Sequence, residues 1–263
     1  MSVTFPTTDL KVPSGITALP SGMKRPAFGT LYGFDAQGGA GGGGPSFSNG
    51  SSVDFDGVDD YMSVAANASL DTTGDWSFSC WFYADDLGGY KAIAAKRTGG
   101  NNWQFAISGS KLTLYLPWGT TTNGSTTLST SQWYHIAFTV EVGESDGIKL
   151  YVNGSAESNT GNATASGNSG NYGFTVADNT KNRWWNGKMD EIAMFHSALS
   201  ASDISDIYNS GVPTDISSLN PVSWWRMGDG TEADSGTTVY DMSSNSNNAT
   251  LTNGPTYSTD VPS

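Results

Sequence analysis

The sequence predicts an all-β fold around a single core, and three observations carry that expectation. Glycine accounts for 33 of the 263 residues and aromatics for 12%, while Ala, Leu, Glu and Lys never gather into a helical run. Period-two alternation is strict at 133–140, where Tyr134, Ile136, Phe138 and Val140 form one face and Trp133, His135, Ala137 and Thr139 the other. The length suffices for one large β-sandwich with appendages and is too short for two.

Taken in chain order, residues 1–46 read as an extended Pro/Gly-rich arm. Pro6, Pro13, Pro20 and Pro26 recur along it, with Leu10, Val12, Ile16, Leu19, Phe28, Leu31, Tyr32 and Phe34 between them, and a flexible run closes it at Gly38–Gly44. Such a segment either docks on another surface or stays disordered. Residues 47–211 are dense in strand signals. In Trp76-Ser-Phe-Ser-Cys-Trp-Phe82 the single cysteine, Cys80, shares its parity with Trp76, Phe78 and Phe82, which makes it a buried, inert thiol. Ile148–Val152 leads into Asn153-Gly154, the dipeptide of a two-residue type I′ hairpin. One short helix is expected at about 201–209, capped by Ser200 with Asp203 in the capping-box position, striped by Ile204, Ile207 and Tyr208, and ended by Gly211.

Charge and cysteine usage narrow the function classes. The net charge is −13, and the first 46 residues hold more basic than acidic side chains, so the remainder is more acidic still. Nucleic acid and anionic membranes are poor partners for that surface, and no apolar run is long enough for membrane insertion. With one cysteine no intrachain disulfide forms. The start, Met1 to Leu10, lacks the pattern of a secretory signal, which predicts synthesis and folding in a cytoplasm.

Four segments in order resemble the laminin-G-like domains of the concanavalin A-like lectin/glucanase superfamily: Ser52-Val-Asp-Phe-Asp-Gly-Val-Asp-Asp-Tyr-Met-Ser-Val64; Trp76 to Phe82; Trp133 to Val140 leading to Lys149-Leu-Tyr-Val-Asn-Gly154; and Asn186-Gly-Lys-Met-Asp-Glu-Ile-Ala-Met-Phe195 followed by Ala198-Leu-Ser200. The resemblance implies a jelly-roll sandwich of two antiparallel sheets, one concave and one convex. In the C-terminal segment 212–263, the stretches Trp224 to Gly230 and Thr237 to Leu251 are similar to a segment that usually precedes the sandwich. Here they follow it. The segment is expected to complete the same sandwich, as in a circular permutation, or to dock on a neighbouring subunit.

The same resemblance implies a structural calcium at Asp190, with further oxygens from Asp54, Asp56 or the Gly57 carbonyl, and from Asp229 or Asp241. Asp190 shares strand parity with Ile192 and Met194, so its carboxylate is expected on the sheet's apolar side, where it needs either a cation or backbone N–H donors. Catalytic residues are not found. The Glu-x-Asp-x-x-Glu of the superfamily's glucanases is absent, its nearest approach being Glu144-Ser-Asp146 in an expected turn, and His135 and His196 are the only histidines. Trp103, Trp118 and Trp184 lie near Asn- and Gly-rich stretches and are the candidate sugar-stacking platforms.

An adhesion-type sandwich, an absent export signal and an N-terminal arm together point to a non-enzymatic virion surface protein, such as a phage head-decoration, fibre or tail-associated protein. Its arm would dock on a capsid or tail protein, its sandwich would face a host surface glycan, and it would act as a homo-oligomer. A stand-alone or secreted glycan-binding lectin module is the alternative, and a glycoside hydrolase a third.

Overall fold

The computed structural model describes residues 47–96, 103–164, 172–178, 183–229 and 236–263. The expected arm, 1–46, lies outside the described residues. Among these described residues, sixteen strands form two antiparallel sheets facing each other, with one α-helix beside them. The first sheet holds Ser52–Asp56 (β1), Trp76–Ala84 (β3), Trp133–Val140 (β8), Ile148–Val152 (β9), Ser155–Gly161 (β10), Asn186–Phe195 (β12), Ser223–Trp225 (β13) and Thr256–Ser258 (β16). Their order is β10-β9-β8-β3-β12-β1-β16, with β13 paired to the far part of β12. The second sheet holds Tyr61–Val64 (β2), Tyr90–Lys96 (β4), Gln104–Ser108 (β5), Lys111–Tyr115 (β6), Thr121–Asn123 (β7), Phe174–Val176 (β11), Thr238–Val239 (β14) and Ala249–Thr252 (β15), ordered β14-β15-β2-β11-β4-β5-β6-β7.

The core between the sheets is aromatic. From the first sheet come Trp76, Phe78 and Phe138, and from the second Trp103, Phe105 and Phe174, with Trp76 and Trp103 ring centroids 5.0 Å apart and Phe105 edge-on to Phe138 at 4.9 Å. Cys80 is buried there, and removal from water pushes its thiol pKa well up, in keeping with an inert role. The hairpin at Asn153-Gly154 forms as its residue types require, with φ of 48° and 74°.

Helix Ala201–Tyr208 (α1) carries the full capping box: the Ser200 hydroxyl accepts from the Asp203 N–H, and the Asp203 carboxylate accepts from the Ser200 N–H. Asn209, in the left-handed region at φ 43°, ends it two residues before the expected Gly211. Ile204 and Ile207 pack on Ala137, Tyr151 and Ala193 of the first sheet's outer face. That face is therefore buried as well, and the 133–140 strand has no solvent side beyond Trp133: His135, Ala137 and Thr139 are all covered.

The C-terminal strands pair within the same chain. β13 lies against β12, β15 against β2, and β16 against β1. Asp241 organises this segment by accepting from the N–H groups of Trp224, Ser243 and Asn247 at 2.8–2.9 Å.

Candidate functional site

The outer face of the second sheet differs from its counterpart in having no helix over it among the described residues. Alternation fixes its side chains: Met62, Leu112, Leu114, Phe174 and Val176 point into the core, so Tyr61, Lys111, Thr113, Tyr115 and Thr175 point out. One cross-strand row runs Ser63, Thr175, Ala95, Gln104, Tyr115 and Thr121. Ala92, Ala95 and Ala106 are small and fully buried, which leaves room above β4 and β5 for larger neighbours. The rings of Tyr90 on β4 and Tyr115 on β6 meet across β5, 5.9 Å apart, and the Arg183 guanidinium lies 3.9 Å from the Tyr90 ring centre.

Residues 183–185 cross from one sheet to the other, and backbone bonds fix their alternation: the Arg183 carbonyl accepts from the Ala92 N–H and the Trp185 N–H donates to the Ala177 carbonyl. Trp185 consequently fills the core while Trp184 stays half-buried outside it, 6.2 Å from the Tyr61 ring. Thr113 donates to the Asn123 side chain at 3.0 Å on the same face. Thr113 and Gln104 are themselves buried, so what the face offers outward is the half-buried Tyr61, Tyr115, Trp184 and Arg183 with the exposed Asn123, which can stack on the C–H face of a polar ring and hydrogen-bond its hydroxyls.

Of the expected platforms, only Trp184 has a side chain placed on this face. Trp103 is a correction: it is fully buried, because Trp103, Phe105 and Ile107 share one parity and all point inward. Trp118 lies in the turn Pro117–Gly119 just beyond Tyr115, and its side chain lies outside the described residues. Tyr61, Tyr90, Tyr115 and Arg183 were missed, although Lys111-Leu-Thr-Leu-Tyr115 by itself shows Tyr115 opposite two leucines.

The residues expected around calcium divide into two places. β12 keeps β3 along one edge but shares the other between β1 and β13, and a bulge sits at the changeover, with Glu191 at φ 47°. The bulge corrects the expected parity: Met189, Ile192 and Met194 face the core and Asp190 does not. Asp190 is nonetheless fully buried, its carboxylate accepting from the Asn49 amide at 3.0 Å and the Glu191 N–H at 2.8 Å. Asp229 closes the same junction by accepting from the N–H groups of Gly50 and Ser51 at 2.7 and 2.9 Å. Glu191 is held by Arg226 at 2.9 Å and the Trp224 indole at 2.6 Å.

Burial, then the Glu191 and Asp229 charges, push the Asp190 carboxyl well above its usual range. Burial raises Glu191 to about 7 against the opposing pull of Arg226. The Asn49 Oδ1 is buried without a hydrogen-bond partner beside this excess of negative charge. An oxygen-rich, under-neutralised junction with an orphaned carbonyl oxygen fits a calcium ion held by Asp190, Asp229 and Asn49. Asp56 and Gly57 do not belong to it. They sit at the opposite end of β1, where Asp56 accepts from the Val58 N–H at 2.8 Å and Gly57 (φ 75°) turns against Asn186, whose Cβ would be 2.7 Å from any Cβ there.

Among solved structures, the chain is similar to a candidate carbohydrate-binding protein from Bacteroides ovatus, at 18% identity and a TM-score of 0.64 over 82% of this chain and 62% of that one. It is also similar to domain 4 of AbnA, a GH43 extracellular arabinanase from Geobacillus stearothermophilus solved with arabinotriose, at 20% identity and a TM-score of 0.51 over 60% of this chain and 76% of that one. At such identities the likeness is one of fold. No curated protein matches the chain. A laminin-G-like family model, described as the concanavalin A-like lectin/glucanases superfamily, matches residues 56–205. This match covers more than half of the sequence and the two-sheet sandwich agrees with it, so the chain belongs to the concanavalin A-like lectin/glucanases superfamily.

Proposed function

We propose that this chain is a non-catalytic glycan-binding module that recognises sugar on the outer face of the second sheet. The observation that carries the reading is the grouping of Tyr61 with Trp184, and of Tyr90 with Tyr115 and Arg183, on one sheet face beside the exposed Asn123. The arabinotriose held by the arabinanase domain supports it, as does the carbohydrate-binding description of the Bacteroides protein.

Hydrolysis is disfavoured on physical grounds. The carboxylates with the most raised pKa, Asp190 and Glu191, are at most 5% exposed and already committed to Asn49, Arg226 and Trp224, with no room for a glycosidic bond. Glu144 and Asp146 lie exposed in a turn. Calcium belongs to the same proposal as a structural ion. Bound by Asp190, Asp229 and Asn49, it would neutralise the junction and pin the entry to β1 and the exit of β13 onto β12. The reading as a virion surface protein with a capsid or tail partner, an oligomeric state and a virion location draws on no feature of the described residues, so the module reading is preferred.

The test is a glycan array probed with the wild type, Trp184→Ala and Tyr115→Ala. Binding to a defined set of glycans, lost on either change while thermal unfolding is retained, supports the proposal. Binding that both variants keep in full refutes it.

A further inference from the structure

Cations are scarce in this chain, and most of the described ones are neutralised internally. Lys91 pairs with Asp86 at 2.7 Å, Lys149 with Glu141 at 3.8 Å, Lys188 with Asp260 at 3.2 Å and Arg226 with Glu191 at 2.9 Å, and Lys96 with Asp71 as well. Among the described residues, only Lys111 and Arg183 have no carboxylate partner. Both are on the outer face of the second sheet, at the same tyrosine. Arg183 lies over the Tyr90 ring, and Lys111 shares a cross-strand row with Tyr90 through Ser108. With 25 acidic side chains in the sequence, two cations left without a carboxylate on one aromatic face keep their charge free for a ligand, since the Tyr90 ring orients Arg183 without neutralising it.

From this placement we infer that the face selects an anionic saccharide, its carboxylate or sulfate ester taken by Arg183 and Lys111 while its ring stacks on Tyr90 and Tyr115. Arg183 suits the task. Its guanidinium stays charged at any working pH, offers a planar fork that matches a carboxylate or sulfate, and is held in orientation by the ring beneath it. Lys111, at a hairpin end and half-buried, supplies a second, more mobile charge. The net charge of −13 sharpens the argument, because the surface as a whole repels anions and, among the described residues, this locality is where cations without a carboxylate partner offset the repulsion.

The inference rests on the glycan reading, and one experiment separates the two. Full-length protein, kept in chelator so that no calcium bridges ligand to protein, is titrated with matched pairs: oligogalacturonate and its methyl ester, xylo-oligosaccharides with and without glucuronate branches, and galactan oligosaccharides with and without sulfate. At least one acidic member is expected to bind about tenfold more tightly than its neutral partner, Arg183→Gln and Lys111→Gln each to remove most of that preference, and Lys111→Gln to do so without weakening the neutral partner. Which pair shows the preference distinguishes carboxylate from sulfate. Neutral glycans bound through Trp184 with no acid preference in any pair, or a preference that both variants retain, overturn this inference alone. If no glycan binds, the module reading falls with it.

Discussion

His135 shows at the scale of one residue how a sequence pattern can be right in outline and wrong in environment. Its strand was legible, but the covering helix left it fully buried, with Nε2 2.8 Å from the Ser79 hydroxyl and rings of Trp81 and Tyr208 nearby. Burial pulls the imidazole pKa down to about 3 from 6.5. Below pH 6.5 the unfolded chain takes up a proton that the folded chain refuses, so the stability contributed by neutral His135 is whole above that pH and is lost as pH falls toward 3. Urea unfolding at pH 7 and pH 4.5 should show a smaller pH dependence in His135→Gln than in the wild type, the difference approaching ~1.4 kcal/mol per pH unit. Equal slopes would mean that His135 titrates in the fold. At the face, Trp184→Ala should weaken glycan binding on the order of tenfold, and Trp103→Ala should instead lower stability by ~3–5 kcal/mol. Parity with Phe105 would have separated these tryptophans in advance. The Gly- and Asn-rich stretch before Trp103 obscured it by reading as a turn end.

At the scale of the element, the helix was the most readable feature because its cap, stripe and stop are all local. Ser200→Ala should cost about 1 kcal/mol, measured as a lowered unfolding midpoint with an unchanged denaturant slope. The β12 bulge was not readable. One extra residue reverses every inward and outward assignment after it, and it arises because β12 changes partner from β1 to β13, a long-range event without a local signature. The carboxylates that the changeover buries explain the expected calcium dependence. Added calcium should raise the unfolding temperature of the wild type and chelator lower it, while Asp190→Asn, already relieved of one charge, should respond weakly. A wild type indifferent to calcium would show that backbone donors and Arg226 suffice.

Across the whole molecule, the sandwich and the acidic balance were legible, while the proposed binding face required the topology. Its tyrosines come from strands distant in sequence and Arg183 from the segment that leads into β12, and only the order β2-β11-β4-β5-β6 brings Tyr61, Tyr90, Tyr115 and the Trp184 segment to one side. The C-terminal strands supply the other lesson: β16 covers the free edge of β1, and β15 covers that of β2. The most direct test of the account is backbone and indole NMR of the labelled full chain while an array-positive glycan is added. Shifts confined to the Trp184 indole and the amides around Tyr61, Tyr90 and Tyr115 are the predicted result. Shifts centred on the first sheet's outer face, around α1, Trp133 or Lys188, with the second sheet unmoved, would contradict it.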